Sequence, residues 1–182
     1  MARDDPPLRG AADLYALYGQ ALLRYARRRV GGGDADDVVS EVFLVVARGG
    51  PVPAGPDALP WLYAVAYRIV LKYRTRTWRS ARLRDRLSGL ATRPDAGVAV
   101  DTQVASTAWV NSLIDRLPDR DAELLRLVVF EDLDIPAAAI SLGISPGAAH
   151  TRLHRIRRKV QPWLEARSIP PTTTPDEIRR PR

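Results

Sequence analysis

The sequence predicts an all-α protein made of two small helical domains that a flexible linker joins. Apolar residues recur at the three-to-four spacing of helices along most of the chain, and no segment carries a convincing strand pattern. Clusters of glycine and proline separate these helical segments. Between residues 87 and 106 the spacing breaks down among Gly, Pro, Ala and Thr, which predicts the linker.

The domain bounds follow from where the helical pattern starts and stops. The first domain is expected over residues 12–86, after a disordered N-terminus of residues 1–11. The second is expected over residues 107–167. A tail of residues 168–182 contains the run PPTTTPDE, whose composition is typical of disordered segments.

Three helices are predicted in the first domain. The first runs from Asp13 to Val30 and ends at three consecutive glycines. Asp34 is expected to cap the second, which continues to Arg48, because an aspartate oxygen accepts hydrogen bonds from the free N–H groups of a helix start. Gly49–Pro60 contains three glycines and four prolines and is predicted to be a loop. Trp61 is expected to begin the third helix, which is apolar at first and basic further along.

The second domain is predicted to contain four helices. Val104–Leu117 has apolar residues on one face, and Pro118 interrupts it. Asp119 is expected to cap the next helix, over Ala122–Glu131. Ile135–Leu142 is a short helix, and the last one follows a few residues later.

Charge and composition narrow the classes of function. The net charge is +7 and the pI is near 10.3, which favours a polyanionic partner. With no cysteine, the chain has no disulfide, thiol nucleophile or Cys-based zinc site. The N-terminus MARDDPPLRG lacks the apolar core of a signal peptide, and the apolar runs are too short to span a bilayer. A soluble cytoplasmic protein with no membrane insertion and no cofactor is therefore expected.

The end of the second domain has the pattern of a helix-turn-helix. Gly143 suits a tight turn, Ser145 suits an N-cap, and Pro146 suits the first helical position, where its missing N–H costs nothing. A buried stripe is expected at Ala149, Leu153, Ile156 and Val160. The opposite face of this helix carries small and basic residues, as DNA contact requires. A solvated basic face on an ordinary helical bundle is the alternative.

With this motif placed, the chain resembles a bacterial RNA polymerase sigma factor of the extracytoplasmic-function (ECF) type, within the sigma-70 family. The segment DADDVVSEVFLVVAR (34–48) is similar to the region 2 helix that binds core polymerase. The segment PWLYAVAYRIVLKYRTR (60–76) is similar to the helix that handles the −10 promoter element. Residues 117–160 look like region 4, which reads the −35 element.

The resemblance gives roles to individual residues. For polymerase binding it implies Asp34, Asp37, Ser40 and Glu41. For −10 DNA it implies Tyr67, Arg68, Lys72, Tyr73, Arg74 and Arg76. For −35 DNA it implies Ser145, Gly147, His150, Thr151, Arg152, His154, Arg155 and Arg158. The glycine- and proline-rich loop matches the segment that captures a flipped −10 base in this family. Capping for the acidic residues and core packing for the tyrosines stay open.

At four places the sequence departs from the family pattern. These departures affect which promoter sequence the protein would read more than which class of protein it is. Ser40 replaces a longer polar amide, and Arg68 occupies a position that is often Asn. Three consecutive alanines, 137–139, replace a Glu-Ile-Ala pattern, which removes an Ile-sized side chain. At 148–149, Ala-Ala stands where Thr-Val is common.

The function that the resemblance implies is transcription initiation, not enzymatic catalysis. Its partners would be core RNA polymerase, promoter DNA and an anti-sigma protein. A conventional helix-turn-helix regulator is the main alternative, although it leaves the two region 2 segments unexplained. Two weaker alternatives are a metal-dependent nuclease using Asp34, Asp36, Asp37 and Glu41, and a metal site at His150 and His154. No helix pairs a wide apolar face with basic edges, which disfavours a membrane-surface role.

Overall fold

A computed structural model describes residues 10–88 and 109–168, with side chains for 10–75 and 109–165. Within these ranges the chain is helical and contains no strand, as predicted. The predicted disordered N-terminus and tail lie almost wholly outside the described residues, and so does most of the predicted linker. Residues 87 and 88 of that linker belong to a helix.

The first domain is built from three helices, α1 (Ala11–Val30), α2 (Gly32–Ala47) and α3 (Ala58–Ser88). They enclose a common apolar core, since α1 contacts both others and α2 contacts α3. The largest side chains fully buried there are those of Leu22, Tyr25, Val38, Val42, Leu62 and Val70. Leu17 was expected on the apolar stripe of α1 but is 60% exposed.

The turn between α1 and α2 is shorter than predicted. Gly31, with φ of 80°, makes the turn alone, and Gly32 and Gly33 already belong to α2. Asp34 is therefore not the N-cap, and that prediction was wrong. It lies in the first turn, where its carboxylate still faces the positive end of the helix dipole.

The predicted loop before α3 is partly helical. A 3₁₀ turn occupies Gly55–Asp57, and α3 begins at Ala58, three residues before the predicted start at Trp61. Glycine is needed at position 50, because a β-carbon there would lie 2.9 Å from the Val45 carbonyl oxygen and 3.0 Å from the Trp61 ring. This close approach brings the chain back across the end of α2.

The second domain begins, within the described residues, with a helical segment over 109–114. Three helices follow: α4 (Asp119–Val129), α5 (Ile135–Leu142) and α6 (Pro146–Ser168). The N-cap of α4 is Pro118, so the prediction that Asp119 caps it was wrong, whereas the bounds of α5 match the prediction. The domain core includes Ile114, Leu124, Leu127 and Ile156, all at most 1% exposed.

The two domains are packed against each other. Helix α5 lies along α3, and Ala138 and Ala139 of α5 are almost completely buried. The hydroxyl of Ser141 lies 3.1 Å from the carbonyl oxygen of Pro60 at the start of α3 and 3.0 Å from that of Ala137. An alanine-rich helix allows close contact between helices because its side chains are short, so the missing Ile-sized side chain coincides with a tight interface.

Candidate nucleic-acid interface

Caps and a left-handed glycine fix the geometry of the helix-turn-helix. Gly143 adopts φ 62° and ψ 40°, and Pro146 is the first residue of α6. The hydroxyl of Ser145 accepts a hydrogen bond from the Ala148 N–H at 3.2 Å, which confirms its predicted role as a cap. Asp134 caps α5 in the same way, through the Ala137 N–H at 2.8 Å. Its sequence signal, an aspartate two residues before a first-turn proline, was overlooked.

Helix α6 presents one packed face and one open face. Ala149, Ile156 and Val160 are buried and Leu153 is partly buried, which confirms the predicted stripe. On the opposite side lies the outer face of α6, which consists of the exposed residues Gly147, Thr151, Arg155 and Arg158. This face starts at the N-terminal end of the helix and is available to a groove.

Arg152 points away from the outer face and into the domain. Its Nη1 donates a hydrogen bond to Asp121 Oδ1 at 2.9 Å, and the two side chains are 29% and 6% exposed. The pair ties α6 to α4. To reach a base, this guanidinium would have to leave a buried carboxylate uncompensated.

His150 and His154 are exposed but line a groove beside the outer face. The groove, of about 680 Å³, runs between α4 and α6 and has an apolar floor that includes Leu125, Val129 and Leu153. Among the described residues, no three His, Cys, Asp or Glu side chains come together as a metal would require.

On the acidic surface of α2, some polar side chains are exposed and one is bonded to α3. Asp37 and Ser40 are exposed, and Asp34 is half-buried. Glu41 instead binds α3: its carboxylate accepts a hydrogen bond from the Tyr73 hydroxyl at 2.9 Å and lies 3.4 Å from Lys72 Nζ. Partial burial and the hydrogen bond to Glu41 raise the pKa of Tyr73 to about 12.

The basic half of α3 carries a surface that the sequence predicts to contact a DNA strand of the −10 element. We call this surface the strand face, and it consists of Tyr67, Arg68, Lys72, Tyr73 and Arg74. Arg68 and Lys72 are exposed, whereas the other three are partly buried. The side chain of Arg76 lies outside the described residues.

Two residues of the strand face interact with charged groups of the second domain. Arg74 Nη2 lies 3.7 Å from Asp119 Oδ1, at the start of α4. Partial burial, and then the carboxylates of Glu123 and Asp119, raise the pKa of Tyr67. The predicted −10 surface therefore lies next to the acidic start of α4, and the side chain of Arg74 is 39% exposed there.

A buried cluster of charged groups joins the two domains, and no sequence pattern predicted it. The docking cluster consists of Tyr25 and Arg29 of α1 with Glu123 of α4 and Glu131, which follows α4. The Tyr25 hydroxyl donates to Glu123 at 2.9 Å, and Arg29 Nε lies 3.0 Å from both Glu123 oxygens. Arg29 Nη1 donates to Glu131 at 2.9 Å and to the Tyr25 carbonyl at 3.0 Å.

Arg29 is the centre of the docking cluster, and its side chain is only 3% exposed. Its guanidinium carbon lies 3.5 Å from the centroid of the Tyr25 ring. Its Nη2 is 2.9 Å from Glu123 Oε1, at an angle that makes an ionic contact but no hydrogen bond. Burial alone would lower the pKa of Arg29, but the neighbouring Tyr25, Glu123 and Glu131 raise it, so the group stays charged. Burial and the Glu123 carboxylate raise the pKa of Tyr25 well above its usual value.

The chain matches two families of known domains in the order that the fold presents them. Residues 14–80 match Sigma-70 region 2, and residues 107–160 match Sigma-70, region 4. The ECF RNA polymerase sigma factor SigF of Caulobacter vibrioides is 34% identical over 146 residues, which cover 77% of each chain. The RNA polymerase sigma factor SigZ of Bacillus subtilis is 25% identical over 155 residues, 84% of this chain and 86% of that protein.

Two solved structures share the fold. CnrH, in complex with the cytosolic domain of CnrY, aligns over 87% of this chain and 89% of its own, with a TM-score of 0.59 and 24% identity. The sigma factor RpoE of Bartonella quintana, in complex with the anti-sigma factor NepR, covers 85% of this chain and 96% of its own, with a TM-score of 0.58 and 19% identity.

These features define a two-domain, helix-turn-helix transcription initiation factor. The chain belongs to the ECF RNA polymerase sigma factors of the sigma-70 family. It is an alternative sigma factor that directs promoter-specific transcription, and the conventional regulator is not favoured. Sigma factors are not enzymes. Within the described residues, no helix is both long enough and apolar enough to cross a membrane.

Proposed function

We propose that this sigma factor reads the −35 element with the outer face of α6 and opens the −10 element with the strand face of α3. The observation that carries the proposal is the open basic outer face at the start of a capped helix. Arg155 and Arg158 are exposed there, on the side opposite to the packed stripe. The protein would act in the cytoplasm, where polymerase and DNA are, and would itself catalyse no reaction.

The residues of the outer face differ in which part of the DNA they could contact. Gly147 has no side chain, so the backbone of the first turn can approach the groove wall. The hydroxyl of Thr151 donates to the Gly147 carbonyl at 3.0 Å, which leaves its oxygen lone pairs and its methyl group for a base edge or a phosphate. Arg155 and Arg158 suit phosphates. Ser145, His150 and His154 flank this face, and Arg152 would join it only by leaving Asp121.

Polymerase binding is proposed for the exposed edge of α2. Asp37 and Ser40 are accessible and Asp34 is partly so, whereas Glu41 supports the edge through Tyr73. Carboxylates repel DNA phosphates, so a basic protein surface is the better partner for them.

The strand face would hold the separated −10 strand. Arg68 and Lys72 supply exposed charge, and the partly buried Tyr67, Tyr73 and Arg74 would supply stacking and phosphate contacts. Arg76, two positions after Arg74 in the sequence, would add one more positive charge. The segment 49–60, which runs into the start of α3, would accept a base turned out of the duplex.

An anti-sigma partner is also proposed. RpoE of Bartonella quintana is bound to the anti-sigma factor NepR, and its fold extends over both domains of this chain. A protein that binds both domains at once would keep the sigma factor from polymerase.

Run-off transcription tests the proposed function. Core RNA polymerase, the purified protein and a pool of genomic promoter fragments are combined, and the transcript ends are sequenced. We expect discrete start sites that share two upstream motifs at constant spacing. A pattern of starts identical to that of core polymerase alone would contradict the proposal.

A further inference from the structure

Glu41 lies on α2 but is bonded to two residues of the strand face. Its Oε1 accepts a hydrogen bond from the Tyr73 hydroxyl at 2.9 Å, and its Oε2 lies 3.4 Å from Lys72 Nζ. All three residues belong to the first domain, so these contacts involve no residue of the second. The resemblance assigned Glu41 to polymerase binding, yet its carboxylate contacts the surface proposed for −10 DNA.

The two contacts of Glu41 differ in strength. The side chain of Lys72 is 73% exposed, and an exposed ion pair at 3.4 Å contributes little because water screens it. The bond from Tyr73 is shorter, joins two partly buried side chains and has a charged acceptor, which makes it one of the stronger kinds of hydrogen bond. Of the two residues, Tyr73 is therefore the one whose position depends more on Glu41.

The side chain of Tyr73 is held at two points. Its ring packs against the apolar core, and its hydroxyl is held by Glu41 of the neighbouring helix. Because the pKa of Tyr73 is raised to about 12, the hydroxyl stays protonated and able to donate near neutral pH. A stacking side chain that is already ordered loses less conformational entropy when a base binds to it.

We propose that Glu41 is a positioning residue for −10 opening, which holds the Tyr73 ring in the orientation in which a base of the separated strand stacks on it. Glu41 acts on the DNA through Tyr73, and the inference rests on the proposed function of the strand face. Its effect is opposite in sign to that of charge alone. A carboxylate beside DNA repels phosphates, so loss of the charge by itself would strengthen strand binding.

Two substitutions of Glu41 separate position from charge. Glu41→Ala removes both the charge and the hydrogen-bond acceptor, whereas Glu41→Gln removes the charge and keeps an oxygen that can accept from the Tyr73 hydroxyl. Asp36→Ala is the matched control, because Asp36 is an exposed residue of α2 outside the proposed polymerase-binding edge and its loss changes the net charge equally. Tyr73→Phe removes the same hydrogen bond from the other side and keeps the ring.

The first test follows the Tyr73 ring without DNA. Protein with isotope-labelled tyrosine rings is studied by NMR, and the Tyr73 signal is identified by its loss in Tyr73→Phe. We expect this signal to shift in Glu41→Ala and to stay close to its original position in Glu41→Gln and Asp36→Ala. An unchanged Tyr73 signal in Glu41→Ala would overturn the proposal.

The second test measures the opening of a promoter found by run-off transcription, with a fluorescent base analogue in its −10 element that reports unpaired bases. Core polymerase is added at a saturating concentration, so that a change in polymerase affinity does not alter the signal. We expect Glu41→Ala to lower opening about 3- to 10-fold, the effect of one side chain that must be ordered on binding. Glu41→Gln should restore most of the opening, and Asp36→Ala should leave it unchanged.

Tyr73→Phe alone should lower opening by a similar factor, and combining it with Glu41→Ala should cause no further loss, because both substitutions remove the same bond. Additive losses, an equal loss in Glu41→Gln, or unchanged or increased opening in Glu41→Ala would each overturn the proposal. Failure of the proposed function would look different. The unchanged protein would then open no promoter, whereas the NMR signal would still report whether Glu41 holds Tyr73.

Discussion

The two surfaces proposed to meet promoter DNA differ in how far they are open. The outer face of α6 is exposed along its length, whereas Arg74 of the strand face pairs with Asp119 of α4 at 3.7 Å. The free protein could therefore engage duplex DNA through one domain while Arg74 of the other stays paired with Asp119. The difference suggests that −35 contact and −10 opening are separable steps with different requirements.

The largest expected effect concerns the open surface. The double variant Arg155→Ala, Arg158→Ala should lower promoter transcription about 10- to 100-fold, because two phosphate contacts of region 4 are lost. The dependence of promoter binding on salt should also become shallower by about two units of logarithmic slope.

A matched variant sharpens this comparison. Arg157→Ala with Lys159→Ala removes the same charge from exposed positions of α6 that lie off the outer face. Equal losses in the two double variants would mean that overall charge, not the outer face, governs promoter binding.

A second prediction concerns the ion pair that supports the open surface from behind. Asp121→Ala leaves the part-buried Arg152 without its partner and should reduce the free energy of unfolding by about 1–3 kcal/mol. Urea unfolding followed by circular dichroism measures this. Asp119→Ala, an exposed position on the same helix, should change stability by no more than about 0.5 kcal/mol. If Asp121→Ala is equally mild, the pair does not hold α6 in place.

A third prediction concerns the stability of two glycine variants in the helix-turn-helix, which should differ in the direction of their effect. Gly143→Ala should destabilise the protein by about 1–2 kcal/mol, since a β-carbon is strained at φ 62° although it would touch nothing. Gly147→Ala, in the first turn of α6 with equally open space, should be neutral or stabilising. Thermal unfolding of both variants measures the difference. If both are destabilised to the same degree, the left-handed backbone conformation of Gly143 is not the cause.

The smallest effect is expected at the caps. Ser145→Ala and Asp134→Ala each remove one side-chain acceptor at a helix start and should each cost about 1 kcal/mol. Because Ser145 also borders the outer face, only its variant should reduce promoter binding beyond the loss of stability. Gel-shift titration with the polymerase holoenzyme separates the two; equal promoter affinity for both would limit Ser145 to capping.

The sequence was sufficient where local chemistry decides the structure. The bounds of α5, the left-handed Gly143, the Ser145 cap and the buried stripe of α6 were all predicted, because each depends on neighbours within a few residues. The residues at which helices start were predicted less accurately. Asp34 and Asp119 were assigned as caps, but Gly31 and Pro118 occupy those positions.

Long-range pairing could not be predicted. The partners of Arg29 are 94 and 102 residues away, and Asp121 is 31 residues from Arg152. In a basic chain, an arginine at the end of a helix is read as solvated or DNA-binding unless its carboxylate partner is known. For the same reason, the pairing of Arg74 with Asp119 could not be predicted from the pattern of α3.

The distance between the domains, measured with dyes on Gln20→Cys and Glu165→Cys in the otherwise unchanged chain, tests most directly whether the two domains pack against each other as they do in the structure. We expect a single short distance in the free protein and a longer one after core RNA polymerase is added. A long or widely distributed distance in the free protein, unaffected by polymerase, would contradict a docked resting state.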